Sequence, residues 1–183
     1  MFGIAALLAG CKTEEEVKES AQSFNYVVDH FADVEIMRYQ VDNWDSLSLN
    51  QKKLVYYLSE AALCGRDIIF DQNCAYNILI KNALEAIVDT YSGDKSTQDW
   101  EKFMEYVKRF WFSNGIHHHY SYAKFYPEIS KEYFLSLMNG SDKNKIFAGD
   151  QLQQKIVMDL IANVIFDTTK VSLKVSQDPN ADL

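Results

Sequence analysis

Three of the four histidines in this 183-residue chain are consecutive, in the run Asn114-Gly115-Ile116-His117-His118-His119-Tyr120. Neutral imidazoles ligate transition metals, exchange hydrogen bonds and stack on planar groups. Adjacent side chains leave a helix or strand in different directions, so three in a row seldom chelate one ion. Metal binding, hydrogen bonding within a loop and the lining of a substrate cleft all stand as readings. The last is favoured by the glycine hinge and the neighbouring aromatic ring, since loops of this kind meet ligands. A helical zinc hydrolase would carry two histidines about a turn apart with an adjacent glutamate to activate water. No histidine follows His119 and His30 stands alone, so such a site cannot be assembled from this chain.

Other chemistry is sparse. There is no phosphate-binding Gly-rich loop, no Gly-x-Gly-x-x-Gly and no Gly-x-Ser-x-Gly, and the seven glycines are scattered. Nucleotide-dependent chemistry therefore has no support. The net charge of −8, from 18 basic and 26 acidic residues, repels phosphate backbones and makes nucleic acid a poor partner, while it steers cationic peptides inward. The three cysteines are too few and too irregular for a disulfide scaffold or a Cys-x-x-Cys zinc site. Cys64 and Cys74 are either a bridge or free buried thiols, because spacing alone does not bring their Cβ atoms to the ~4 Å that a bridge requires.

Cys11 has its own explanation. It closes Leu8-Ala9-Gly10-Cys11, which is similar to a bacterial lipobox, after the apolar run MFGIAALLA. That run has signal-peptide length and falls short of the ~20 residues of a membrane span. Residues 1–11 thus read as a lipoprotein signal peptide with Cys11 as the lipidation site, and acyl chains there would anchor the protein to a membrane of the bacterial cell envelope. Residues 12–23, opening with Lys12-Thr13-Glu14-Glu15-Glu16, read as a polar tether. No Lys or Arg precedes Cys11, so the start of the reading frame is expected upstream.

The elements that must hold the histidine run are mostly helical. With 48% hydrophobic and 14% aromatic residues, and no linker or repeat between residues 24 and 175, the chain suits one packed unit. Ser48 with Gln51 forms a capping box before a helix that places Leu54, Val55, Leu58, Ala61 and Ala62 on one face and closes at Gly65. A second helix is expected from about Asn73 to Tyr91, with Ile80, Ala83, Leu84 and Ile87 inward. From Thr97 a third puts Trp100, Phe103, Met104, Val107, Phe110 and Trp111 in one apolar stripe. Ser130 opens a shorter helix carrying Tyr133, Phe134, Leu137 and Met138, ending at Asn139-Gly140 in a left-handed cap. Asp150 caps a long helix that turns Leu152, Ile156, Leu160, Ile161 and Val164 inward. Val171, Leu173 and Val175 alternate as a strand, whose partners would be short strands near Asn25 to Val28 or Arg38 to Val41. The fold class is mainly α with minor β.

Two stretches carry a family resemblance. Phe110-Trp111-Phe112-Ser113-Asn114-Gly115-Ile116-His117-His118-His119-Tyr120 with Lys124-Phe125-Tyr126-Pro127 resembles the N-terminal region of bacterial dipeptidyl peptidase III. The run from Ser48 to Ala62, continued by Arg66-Asp67-Ile68-Ile69-Phe70-Asp71-Gln72, resembles the first long helix of that family. The resemblance implies that residues 24–183 are an incomplete helical segment, the N-terminal portion of the lower domain of a larger two-domain enzyme with a wide cleft. It implies a zinc metallopeptidase that releases dipeptides from peptide N-termini, with the zinc held by a His-Glu-x-x-Gly-His helix and a later glutamate outside this chain. The metal would lower the pKa of its water to ~7 and polarise the scissile carbonyl while a glutamate takes the proton. In that family the chain would hold no catalytic residue and no metal, and would be inactive by itself. Its part would be substrate positioning, with Tyr120 lining the subsite for the penultimate N-terminal residue of an oligopeptide and His118, His119 and Asn114 beside it. A second reading is a non-catalytic helical outer-membrane lipoprotein that binds peptides or glycans, and a third is a metal-buffering module built on His117 to His119.

Overall fold

The computed structural model describes residues 24–169 except residue 122. The expectations for Cys11, the tether and the strand Val171 to Val175 lie outside the described residues. Of the described residues, 59% are helical and 8% are in strands, so the fold is mainly α with minor β.

The strands form one local hairpin, β1 (Val27–Phe31) and β2 (Val34–Met37), antiparallel, with Phe31 opposite Val34 and His30 opposite Glu35. The short strands expected near Asn25 to Val28 and Arg38 to Val41 fall at the flanks of this stretch, and the two strands described pair with each other. The hairpin closes through Ala32-Asp33, where Ala32 takes φ 49° in the absence of the glycine or Asn-Gly pair that ordinarily marks such a turn. Val27, Asp29, Phe31, Val34 and Ile36 share the half-buried face.

Helix α1 (Leu49–Cys64) starts where its sequence requires. Ser48 Oγ accepts from the Gln51 N–H, and Gln51 Oε1 accepts from the Ser48 N–H at 2.9 Å. Its packing differs from expectation. No residue of α1 is buried, and Leu54, Val55 and Leu58 are 58%, 42% and 61% exposed. Five large apolar residues in succession, Leu54 to Leu58, leave the helix without a polar side, and periodicity then encodes no inward direction.

Before the helix expected from about Asn73 to Tyr91 lies a short one that the spacing does not announce, α2 (Arg66–Asn73), which ends at Cys74, extended with φ −166°. The expected helix is α3 (Asn77–Thr90), which starts four residues after Asn73. Ile80, Ala83, Leu84 and Ile87 are buried as the spacing implies. In α4 (Gln98–Ser113) the Thr97 side chain accepts from the Trp100 N–H, and Trp100, Phe103, Tyr106, Val107 and Phe110 enter the core, whereas Trp111 sits at the rim. Phe70, Phe103, Phe110 and Phe134 form the aromatic centre where α2, α4 and α5 (Lys131–Asn139) meet.

Gly140 after α5 is not left-handed. Its φ is −84°, and a Cβ there would stand 2.8 Å from the Tyr91 ring, so the residue is glycine for close approach rather than for chain reversal. The chain continues into the short α6 (Lys143–Ile146), where Thr90 Oγ1 accepts from the Asp142 N–H at 2.8 Å.

Helix α7 (Gln151–Phe166) has a reciprocal Asp150–Gln153 capping box. Its buried side is Met158, Ile161, Ala162, Val164 and Ile165 with Gln154; Leu152, Ile156 and Leu160, expected inward, form a second stripe that stays exposed. Two apolar stripes on one helix fit the same spacing, and packing selects between them. Among the described residues no helix is long and apolar enough to cross a membrane. Cys64 is exposed, Cys74 is buried, and neither is bridged.

Candidate functional site

The histidine run begins where α4 stops. Asn114 adopts the left-handed conformation (φ 54°, ψ 44°), and the Gly115 N–H donates back to Phe110 O at 3.0 Å, closing the helix. Gly115 follows at φ 145°, a region that side chains rarely enter. The carboxamide of Asn77, fully buried at the start of α3, lies against it. Asn77 Nδ2 donates to Phe70 O at 3.0 Å and to Asn114 O at 3.4 Å, and its Oδ1 accepts from the Ile116 N–H at 3.3 Å.

From Ile116 the chain runs out and back. His117 pairs with Lys124 in an antiparallel bridge, the His118 N–H donates to Ala123 O at 2.8 Å, and the Phe125 N–H donates to Ile116 O at 3.1 Å. The three histidines are split two to one. His117 faces inward at 3% exposure, while His118 and His119 stand at the tip with Tyr120, which is 89% exposed. The divergence of adjacent imidazoles expected from sequence holds for His117 against the other two and not between His118 and His119, whose rings meet. Among the described residues no three His, Cys, Asp or Glu side chains are grouped so as to hold a metal ion, and these residues do not fit a zinc site.

The tip is a stack of planar groups. The His118 and His119 rings lie 4.3 Å apart at 27°, His119 and Tyr120 4.2 Å apart at 52°, and Phe112 meets His119 edge-on at 4.9 Å. His118 Nδ1 accepts from the Tyr120 N–H at 3.2 Å, which ties the ring to the backbone of the turn. Three of the four residues expected to contact substrate, His118, His119 and Tyr120, are thus brought together; Asn114 is instead a half-buried hinge whose carbonyl serves Asn73 and Asn77.

Sequence reasoning did not find the hairpin as the facing wall. A cavity of about 250 Å³ lies between the Asp33–Glu35 edge of the hairpin, Arg109 and Phe112 of α4, and His118 and His119. The hairpin is attached there by side chains. Asp29 pairs with Lys108 at 2.7 Å, Asp33 with Arg109 at 2.6 Å, and Phe31 meets Phe112 edge-on at 6.5 Å. The hydrogen bond from Lys108 holds the Asp29 carboxyl below the usual carboxylate range, and the Asp33 carboxyl is lowered by its own backbone N–H and then by the Arg109 charge. The acidic Asp29 and Asp33, 79 and 76 residues from their partners, offered no local signal. A larger depression of about 490 Å³, between α5, α6 and α7, is remote from the histidines and lined largely by Lys143, Lys155, Asp159 and amide side chains.

The returning limb is fixed by Lys124, 9% exposed. Its Nζ donates to Val164 O and, at 2.8 Å, to Asp167 O at the end of α7, and lies 4.9 Å from the Tyr126 ring centroid. Burial pushes its pKa below the ordinary lysine value. What this arrangement offers chemically is an exposed row of planar groups, rooted in the fold, beside a small cavity of mixed charge and apolar lining, suited to holding an extended polar ligand. The chain matches no family model, and no curated protein is similar to it.

Proposed function

We propose that this chain supplies part of the substrate-cleft wall of a zinc-dependent dipeptidyl peptidase of the dipeptidyl peptidase III type, held at the bacterial cell envelope by a lipid on Cys11. The observation that carries the reading is the stacked His118–His119–Tyr120 tip, exposed yet anchored, in the segment whose sequence resembles that family. Planar faces of this kind take up peptide groups and side chains at low entropic cost because their own rotamers are already fixed. The overall charge of −8 attracts the ammonium of a free peptide N-terminus.

Further support comes from α1. A helix without a polar side belongs in an interior, and the bare Leu54–Leu58 segment calls for cover by more polypeptide, as a segment of a larger two-domain enzyme would receive. Zinc enters this reading only as a group held by other polypeptide, and the positioning assigned to the described residues does not pass through it.

The test is hydrolysis of a dipeptidyl arylamide by the polypeptide that contains this chain. Tyr120→Ala is expected to raise KM several-fold with zinc content unchanged, since a 1 Å misplacement of substrate costs on the order of 100-fold in rate. Unaltered kinetics would remove Tyr120 from the site, and a polypeptide with no dipeptide-releasing activity would end the assignment. Incorporation of labelled palmitate, abolished by Cys11→Ser, tests the anchor.

A further inference from the structure

Asn77 and Lys124 are among the polar side chains buried at the root of the loop, and each is costly to bury unless it is fully bonded. Asn77, fully buried at the first turn of α3, spans the outgoing limb with one carboxamide: it donates to Asn114 O and accepts from the Ile116 N–H. Lys124 on the returning limb places its ammonium on the Val164 and Asp167 carbonyls, where α7 ends and its unpaired carbonyls and negative dipole end gather. Between the two roots the limbs are joined by the His117–Lys124 bridge and by the bonds from the His118, Ser121 and Phe125 N–H groups. The tip meets α4 where Phe112 lies edge-on to His119, and the direction of each limb is set where it is tied at its root.

We infer that Asn77 and Lys124 are positioning residues: clamped to α3 and α7 respectively, they fix the direction in which His118, His119 and Tyr120 face a bound peptide. This rests on the reading of the loop as a peptide-facing wall. Neither residue touches the ligand. Each acts through the backbone of the limb it holds, so loosening either one spreads the tip over several orientations while leaving the aromatic core of α2, α4 and α5 in place.

The experiment uses the intact protein in two assays. The first is chymotrypsin cleavage after Tyr120, which reports loop order independently of any peptidase activity; the second is the KM and kcat split for a dipeptidyl arylamide. Lys124→Met keeps the aliphatic stem and removes the donor, Lys124→Arg restores donors, and Asn77→Ala removes the other clamp. Lys124→Met is expected to speed cleavage after Tyr120 and to raise KM, each by about 10-fold, with kcat within about 2-fold and helical circular dichroism retained, as a geometric misplacement requires. Lys124→Arg should recover most of both. Asn77→Ala should move both readouts in the same direction.

Cleavage and KM both unchanged in Lys124→Met would overturn the inference. So would a fall in kcat in proportion to lost helix with KM unchanged, which would make the two residues supports of the core alone. Faster cleavage with unchanged KM would overturn the role in peptide positioning, and with it the reading of the loop as a cleft wall, although the clamps themselves would stand.

Discussion

Gly115→Ala is the substitution on which the site geometry makes its sharpest demand. At φ 145° an L side chain is strained, at a cost of about 1–3 kcal/mol. The added Cβ would also stand 2.7 Å from Asn77 Cγ and 2.9 Å from Asn77 Oδ1, so the carboxamide must move. Moving it strands the Ile116 N–H and the Phe70 carbonyl inside the protein, at roughly 1–3 kcal/mol each. Together these come to roughly 3–9 kcal/mol, comparable with the ~5–15 kcal/mol that holds an ordinary domain together. Urea and thermal unfolding followed by circular dichroism should show a fall in Tm on the order of 10–25 °C. The collision and the strain can be separated in a double-mutant cycle. With Asn77→Ala already present, space exists for the methyl group, and Gly115→Ala should then cost only its backbone part, a coupling of about 2 kcal/mol or more. A cost of under about 1 kcal/mol for the single substitution would refute the claim that Asn77 and Gly115 are mutually fitted.

Tyr106 is 3% exposed, and its hydroxyl finds no hydrogen-bond partner among the described residues; Tyr106→Phe should raise stability by about 1 kcal/mol, measured by urea unfolding, and a loss of that size would show the hydroxyl to be bonded. The hairpin clamps titrate with a defined sign. Because the Asp29 and Asp33 carboxyls are lowered in the folded protein, their pairing with Lys108 and Arg109 is fully present above the ordinary carboxylate pKa of ~3.9 and is lost as pH falls through their lower folded values; hydrogen exchange of the β1 and β2 amides, corrected for intrinsic rate, should stay constant from about pH 7 to 5 and accelerate below about 4, and a change centred near 6 would contradict it. The bare α1 should make the isolated 183-residue chain bind hydrophobic dyes and self-associate at micromolar concentration, and Leu54→Glu with Leu58→Glu should suppress both without loss of helix; light scattering that does not change would mean α1 is covered.

What was legible in the sequence follows where local chemistry decides structure. Ser48 with Gln51, Thr97, Ser130 and Asp150 start their helices because a side-chain oxygen three residues before a free N–H satisfies it with no help from the rest of the fold. Ile80, Leu84 and Ile87 turned inward because α3 has one apolar side. Legibility failed where two local answers are equally good. Leu152, Ile156 and Leu160 compete on α7 with Met158, Ile161 and Ile165, and only packing against α5 chooses between them. Helix α2, eight residues long with no side-chain cap, and the turn at Ala32, with neither proline nor glycine, gave no signal.

For the site the boundary is similar. The run of histidines with Tyr120 was visible as a string, whereas the turn that buries His117 and stacks His118 and His119 was not. Asn77, Lys124 and the Asp33 edge were invisible, because each acts on a residue 37 to 76 positions away, and an asparagine in a helix or a lysine in a loop is ordinarily a solvated residue.

Those separations have a consequence for how the protein is made. The tip is tied to partners 39 residues upstream at Asn77 and 40 residues downstream at Val164, while α1 with α2 and α2 with α3 pack as neighbours in the chain, α3 packing also on the later α5 and α6. Closing such wide loops costs entropy that is repaid only once both partners exist. As the nascent polypeptide leaves the ribosome, α1 to α4 can therefore form early, but the histidine loop stays unset until residue 167 has emerged, and a messenger cut short before that point would yield helices bearing the complete motif in an unset loop.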